Sequence, residues 1–450
     1  MSADCATPPI PFAIAPLPLV AAFDGGRLTS DGGLPWLAEA EATLGRCAAF
    51  AVGIPGWRRG AGQHSRATHV RQRVFQIACG YADRDDADAL RHDPLLQLVC
   101  GRLPGGDPAL ASQPTFSRLE NAVTRQACYR LAVALVATYL RERARAGRPA
   151  RLVLDLDSTD DPTHGDQEGT AYHAPYRQHM YHPLLIFDGD TGQLITAVLR
   201  PGNAPASGGV VAVLTRLVPA LRERWPGIPI ERRADGGFAT PELYTFCERE
   251  GLAYTSGLPG NTRLARLAAP LLAEAQARQA ASADPATATG RLAGEVAYRA
   301  RSWDRERRVV YKAEALPEGP NVRFVVTSRA DAPLPLYDWY VARGEMEGWI
   351  TDLKNACQAD RLGCHRFVAN QFRLLRHAAA YWLLDTLRRW LAAAGVARTQ
   401  LDTLRLRLVK VGGRLLQLRD QARLRLASGH PGQHLWATLA AHLRPVNNPG

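Results

Sequence analysis

The chain has 450 residues, 46% hydrophobic and 22% charged, with a net charge of +12, enough for two or three domains around a sizeable core. Prolines interrupt the apolar run Ile10–Phe23 and no basic residue precedes it, so it lacks the form of a secretory signal, and Leu131–Leu140 is too short to span a bilayer. Eight scattered cysteines form no C-x-x-C pair, which argues against a disulfide framework or zinc ribbon and for a reducing, cytoplasmic setting with no membrane partner.

Residues 1–148 read as a helical N-terminal region. Val70, Val74, Ile77 and Ala78 recur on one helical face, and Ser112-Gln113-Pro114 marks a helix start. Ser65, Arg66, Arg71, Arg73 and Arg118 are candidate contacts to DNA, although no helix-turn-helix signature stands out.

The pattern changes at Arg151. Leu152–Asp157 alternates Leu with Val153, Asp155 and Asp157, a strand carrying acids at its C-terminal end. Strands over 183–187 and 193–199 flank the turn-rich Asp188–Gly192, and a helix over 210–224 contains Pro219. A strand at 228–232 precedes Asp235 in the turn Asp235-Gly236-Gly237-Phe238, followed by helix 241–250 and strand 252–256. This is a hairpin followed by alternating helices and strands, an α/β core beginning at 149 and interrupted after 257.

Residues 258–332 read as an insertion with a helix over 264–281, a linker over 282–290 and strands at 307–315 and 322–328. The core resumes over 333–395, where Tyr340, Arg343, Glu347 and Lys354 fall within a helical stripe about 60° wide. The basic segment 396–450 contains Leu-Arg-Leu-Arg-Leu-Val-Lys-Val, Gly412-Gly413 and Arg-Leu-Leu-Gln-Leu, which predict a β-hairpin. From Arg361 to Ala427 there are 13 Arg and one Lys against Asp385, Asp402 and Asp420, a concentration suited to a polyanion.

Two strand-end aspartates and a helix bearing an acid, two cations and a phenol fit a divalent metal held against a phosphodiester. Asp155 shares the strand face of Asp157 and competes with it, whereas Asp160 and Asp161 read as solvated turn residues. His164, His173, His179 and His182 match no helical zinc spacing, and Trp303 reads as structural ahead of a base-stacking role.

The spacing Tyr340, Arg343, Glu347, Lys354 resembles the signature helix of bacterial insertion-sequence transposases with a DDE site, in the insertion-sequence-four-like group. Leu154–Thr159, Arg200-Pro201-Gly202-Asn203, Arg233–Phe238 and Ala369–Arg373 resemble, more narrowly, the insertion-sequence thirteen-eighty family. The resemblance spans about Asp31 to Pro431 and implies a ribonuclease-H-like mixed-sheet core with a strand-containing insertion. By motif it makes Asp157, Asp235 and Glu347 the catalytic metal ligands, with Asp155 the alternative to Asp157, and Tyr340, Arg343 and Lys354 contacts to DNA. It further implies Mg²⁺ or Mn²⁺, cleavage at terminal inverted repeats, joining of a 3′-hydroxyl to target DNA, and a homodimer on paired ends in the bacterial nucleoid. A structure-selective nuclease and a catalytically inactive domesticated DNA-binding protein are the competing readings.

Overall fold

The computed structural model describes residues 9–12, 17, 19–54, 56, 63–284 and 287–444. Parts of the expected N-terminal region, of the 282–290 linker and of the basic C-terminal segment lie outside the described residues. The chain divides into two compact units, one of Met1–Val123, Asn355–Gln358 and Ala379–Gly450, the other of Thr124–Lys354 and Ala359–Ala378.

Helices Leu34–Leu44, Arg46–Gly53, Arg66–Ala78 and Gln113–Ala122 dominate the N-terminal part of the first unit. Ser65 caps the third by accepting from the Thr68 N–H, and Pro114 opens the fourth after Ser112. Val70, Val74, Ile77 and Ala78 are buried, as their spacing predicts. Strands Gly413–Gln417 and Ala422–Leu426 form a hairpin that adds Leu28–Thr29 as a third strand.

That hairpin corrects the sequence reading, because the Leu-Arg-Leu-Arg run is helical over Leu401–Leu404 and Arg405–Val409. Leu404 and Leu408 are buried while Leu406 between them is 61% exposed. A spacing of four, not the apparent alternation, sets which leucines face inward.

The second unit is a mixed α/β fold built on one large mixed sheet. In chain order its elements are α1 (Arg125–Arg145), β1 (Leu152–Ser158), β2 (Leu184–Asp188), β3 (Leu194–Val198), α2 (Val210–Arg224), β4 (Ile230–Ala234), α3 (Pro241–Arg249) and β5 (Ala253–Leu258). Then follow α4 (Thr262–Ala280), β6 (Gly290–Tyr298), β7 (Arg307–Leu316), β8 (Gly319–Thr327), α5 (Pro333–Val341), α6 (Glu345–Cys357), which belongs to this unit up to Lys354, and α7 (Phe367–Ala393), which belongs to it up to Ala378. The strand order is β6-β7-β8-β5-β4-β1-β2-β3.

The expected hairpin followed by alternating α and β is present. β1, β2 and β3 are antiparallel neighbours, while β4 and β5 run parallel to β1. Long crossovers through α2 and α3 permit the parallel pairings. β1 is buried from Leu152 to Leu156 because both sheet faces are covered, so its run is apolar on both sides except at the acids.

Strand β6 occupies Gly290–Tyr298, which begins where the linker was expected to end and was not read as a strand. Its Arg-Leu-Ala-Gly-Glu-Val-Ala stretch lacks the branched density of β7, and pairing along β7 supplies the order. β8 pairs antiparallel with β5, so β6–β8 extend the core sheet.

Met346, Trp349, Ile350 and Leu353 bury one stripe of α6. Trp349 packs on Phe187 with ring centroids 5.5 Å apart, fixing the helix over β2. A Cβ at Gly192 would come within 2.6 Å of the indole, so the turn after β2 needs glycine for this close approach. No described helix is long and apolar enough to cross a membrane.

Candidate active site

Asp157 and Asp235 are placed by the pairing of β1 with β4. Arg233 lies opposite Asp155 and Ala234 opposite Leu156. One residue further on, the same register sets Asp235 beside Asp157, on strands about 4.8 Å apart. The Ser158 N–H donates to Asp157 at 2.9 Å and the Gly237 N–H donates to Asp235 at 2.9 Å, so local turns orient both carboxylates.

Asp155 is built differently. It is fully buried and takes two hydrogen bonds of 2.7 Å from Arg233, which also donates to the Trp339 carbonyl and stacks on the Trp339 ring at 4.9 Å. Both oxygens are engaged by this fork, whereas Asp157 and Asp235 are only half buried.

Tyr340 and Arg343 come from the end of α5 and the 3₁₀ turn Ala342–Gly344. Arg343 donates to Asp157 at 2.9 Å, and the Tyr340 hydroxyl donates to the Ala234 carbonyl at 3.3 Å. A Cβ on Gly257 would sit 2.8 Å from that hydroxyl, so β5 needs glycine where the phenol crosses it. Lys354 donates to Asp160 at 2.8 Å, and Gln178 donates to the other Asp160 oxygen at 2.9 Å. Glu347 is exposed on the first turn of α6. Tyr340, Arg343 and Lys354 thus reach the ends of the core strands, while Glu347 makes no ion pair among the described residues.

Burial, together with the charge of Asp235, raises the Asp157 carboxyl above its ordinary range against the pull of Arg343. Burial works against the Arg343 charge, but Asp157, Tyr340 and Asp235 overcome it and hold the guanidinium more firmly protonated. Burial also raises the Tyr340 phenol. Asp160 is lowered because Lys354 and Gln178 outweigh its partial burial.

Asp161 departs from the expected solvated turn. It is 1% exposed on the short strand Asp161–Pro162, neither oxygen has a hydrogen-bond partner, and burial plus the nearby Asp360 push it well above the carboxylate range. Pairing of that strand with Gln178–Tyr181 turns the side chain inward, a contact local sequence does not encode. Trp303 is buried against Tyr244 and Tyr298 with Arg307 over its ring, the structural role.

The remaining motifs serve as scaffolding. Arg200 donates to the His182, Pro205, Ala206 and Gly208 carbonyls and staples the loop after β3. Ala206 of that loop lies against Gly237, so the staple backs the Asp235 turn. Asn370 donates to Tyr181 and the Cys364 carbonyl, and Gln371 accepts from the Leu199 N–H at the end of β3.

A family model of the transposase DDE domain, group 1, matches residues 14–448. The chain belongs to this family of DDE transposases. Comparison with the curated proteins gives no match. Among solved structures, the transposase is similar to the piggyBac transposase in a cryo-EM synaptic complex with hairpin DNA, at 13% identity and a TM-score of 0.43 over 85% of this chain and 80% of that one.

DDE transposases typically use a divalent metal. Asp157 and Asp235 offer hard oxygen donors of the kind that suits a divalent ion, with the Arg343 guanidinium paired to Asp157. Among the described residues no three acidic, imidazole or thiol groups surround a common metal position, the four histidines included.

Proposed function

We propose that this chain is the transposase of a bacterial insertion sequence, of the thirteen-eighty type within the insertion-sequence-four-like group. It binds terminal inverted repeats, hydrolyses the phosphodiester at each end and joins the freed 3′-hydroxyl to target DNA. The observation that carries this is the juxtaposition of Asp157 and Asp235 on adjoining parallel strands with Arg343 against them. A ribonuclease-H-like core is the reading that fits three antiparallel strands followed by two parallel ones, with β6–β8 as the insertion.

In this reading Asp157, Asp235 and Glu347 hold Mg²⁺, or Mn²⁺ in its place. The ion supplies Lewis-acid activation of water or of the 3′-hydroxyl and neutralises charge at the phosphate. Glu347 is assigned with the pair on the family motif, and it lies on the first turn of α6, directly after the 3₁₀ turn whose Arg343 reaches Asp157. Arg343 and Lys354 leave Asp157 and Asp160 to grip phosphate oxygens, and Tyr340 packs at the strand ends to fix the backbone around Asp235. The enzyme acts on double-stranded DNA as a homodimer on paired ends, in the cytoplasm at the nucleoid.

The test is a strand-transfer assay using duplexes copied from the inverted repeats flanking the gene, with pre-cleaved 3′-hydroxyl ends. Joined products that vanish in Asp157→Asn, Asp235→Asn and Glu347→Gln support the assignment. Nicks without joined products would make the chain a nuclease. Unchanged element excision by these variants in cells would leave it a DNA-binding protein without this chemistry.

A further inference from the structure

Between β1 and β2 a small sheet forms from Asp161–Pro162, Ala171–His173 and Gln178–Tyr181. The turn joining its last two strands, residues 174–177, is tight. The Tyr176 and Arg177 N–H groups both donate to the His173 carbonyl, and Arg177 adopts φ 55°. This turn brings three rings together. His173 lies 5.0 Å from Tyr176 and 4.9 Å from His182, and His182 lies 6.0 Å from Tyr176.

The cluster is anchored from below and open above. His182 is 4% exposed and bonded through Nδ1 to the Ala204 carbonyl, whereas Tyr176 is 43% exposed. His173 Nδ1 is buried and has no hydrogen-bond partner among the described residues. Gln178, immediately after the turn, is tied to Asp160, which also takes Lys354. Burial and, after it, the negative charges of Asp160, Asp157 and Asp235 raise the Tyr176 phenol.

Tyr176 stands half exposed on two imidazoles, two residues from the Gln178–Asp160 bond that ties this sheet to the segment following Asp157. Carboxylates repel phosphate, so a nucleic-acid strand entering here must be held by its bases or by cations. A half-exposed phenol backed by rings provides an uncharged π-face for a base of any sequence.

We propose that Tyr176, supported by His173 and His182, is a stacking platform for the nucleobase flanking the phosphodiester that is cut. The platform positions the strand over Asp157 and Asp235 and takes no part in bond making. It rests on the DNA-transposase reading of the same site.

The test is a binding cycle with the full-length protein and Ca²⁺, using a fluorescein-labelled duplex copied from the flanking inverted repeat. A second duplex carries an abasic residue beside the mapped cut. Tyr176→Ala and Tyr176→Leu should weaken binding to the intact duplex by about tenfold, while Tyr176→Phe stays within about twofold. The abasic residue should weaken the native protein by a similar factor and cost Tyr176→Ala nothing further. Two outcomes overturn the platform alone: intact-duplex affinity unchanged in Tyr176→Ala, or losses from the variant and the abasic residue that simply multiply. Tyr176→Leu keeps an apolar side chain but no π-face, so its loss with an unchanged melting temperature separates stacking from folding. If the native protein binds the repeat no better than unrelated DNA, the transposase reading fails and the platform falls with it.

Discussion

If Asp157 holds the ion as proposed, Arg343 and the metal would compete for one carboxylate. Arg343 bonds Asp157 at 2.9 Å, with side-chain exposures of 14% and 15%. A charge-assisted hydrogen bond contributes about 1.5–3 kcal/mol, and solvent screening of this partly exposed pair brings the useful figure to about 1–2 kcal/mol. A divalent ion binding Asp157 must displace this partner and also meet its positive charge. Arg343→Gln should therefore strengthen Mn²⁺ binding to the DNA-free protein by roughly 5- to 30-fold, at 1.4 kcal/mol per decade. The same substitution removes a phosphate contact, so DNA binding should weaken.

Under the proposed assignment, metal on Asp157 would free Arg343 for phosphate, and phosphate on Arg343 would free Asp157 for metal. Each ligand should raise the affinity of the other by one common factor, as linkage requires. Calorimetric Mn²⁺ titrations with and without the repeat duplex measure that factor, and Arg343→Gln should reduce it towards unity. Unchanged or weaker Mn²⁺ binding by Arg343→Gln without DNA would refute the exchange. A null effect of DNA on Mn²⁺ affinity in the native protein would do the same.

Asp155→Ala should destabilise the protein by about 3–5 kcal/mol in urea unfolding, because it strands the buried Arg233 charge. Asp157→Ala should cost about 1 kcal/mol or less and still abolish Mg²⁺-dependent cleavage, and the reverse ranking would move the catalytic role to Asp155. Asp161 has a raised folded pKa from burial, so its stability contribution is complete below the unfolded value and is lost as pH rises through the folded one. Asp161→Asn should therefore raise the melting temperature at pH 7–8, and the gain should shrink towards pH 4, where the native carboxyl carries its proton. Gly257→Ala should cost about 1–3 kcal/mol by crowding the Tyr340 hydroxyl, and Tyr340→Phe in the same chain should restore part of it. Additive losses in that double variant would show that the methyl is accommodated elsewhere.

The distance over which a contact acts decides how much of this site local sequence could carry. Apolar runs and turn residues are local, so the strand bearing Asp157, the strand that leads to Asp235 and the helical segment around Glu347 are legible from the chain alone. Pairing register is not local. That Asp155 falls opposite Arg233, and so becomes half of a buried ion pair, depends on β1 meeting β4 across 78 positions. Asp161 turns inward for the same reason, through its pairing with Tyr181. The leucine–arginine run before the C-terminal hairpin misled because alternation and a four-residue stripe share Leu404 and Leu408, and only packing shows that Leu406 is left outside. The same logic accounts for the Tyr340–Lys354 stripe, which the structure carries across the end of α5, a 3₁₀ turn and α6. Sequence gives its angular width, but whether its cations meet acids or phosphate depends on which partner is present. Arg343 and Lys354 pair with Asp157 and Asp160, acids that the fold rather than local sequence brings to them.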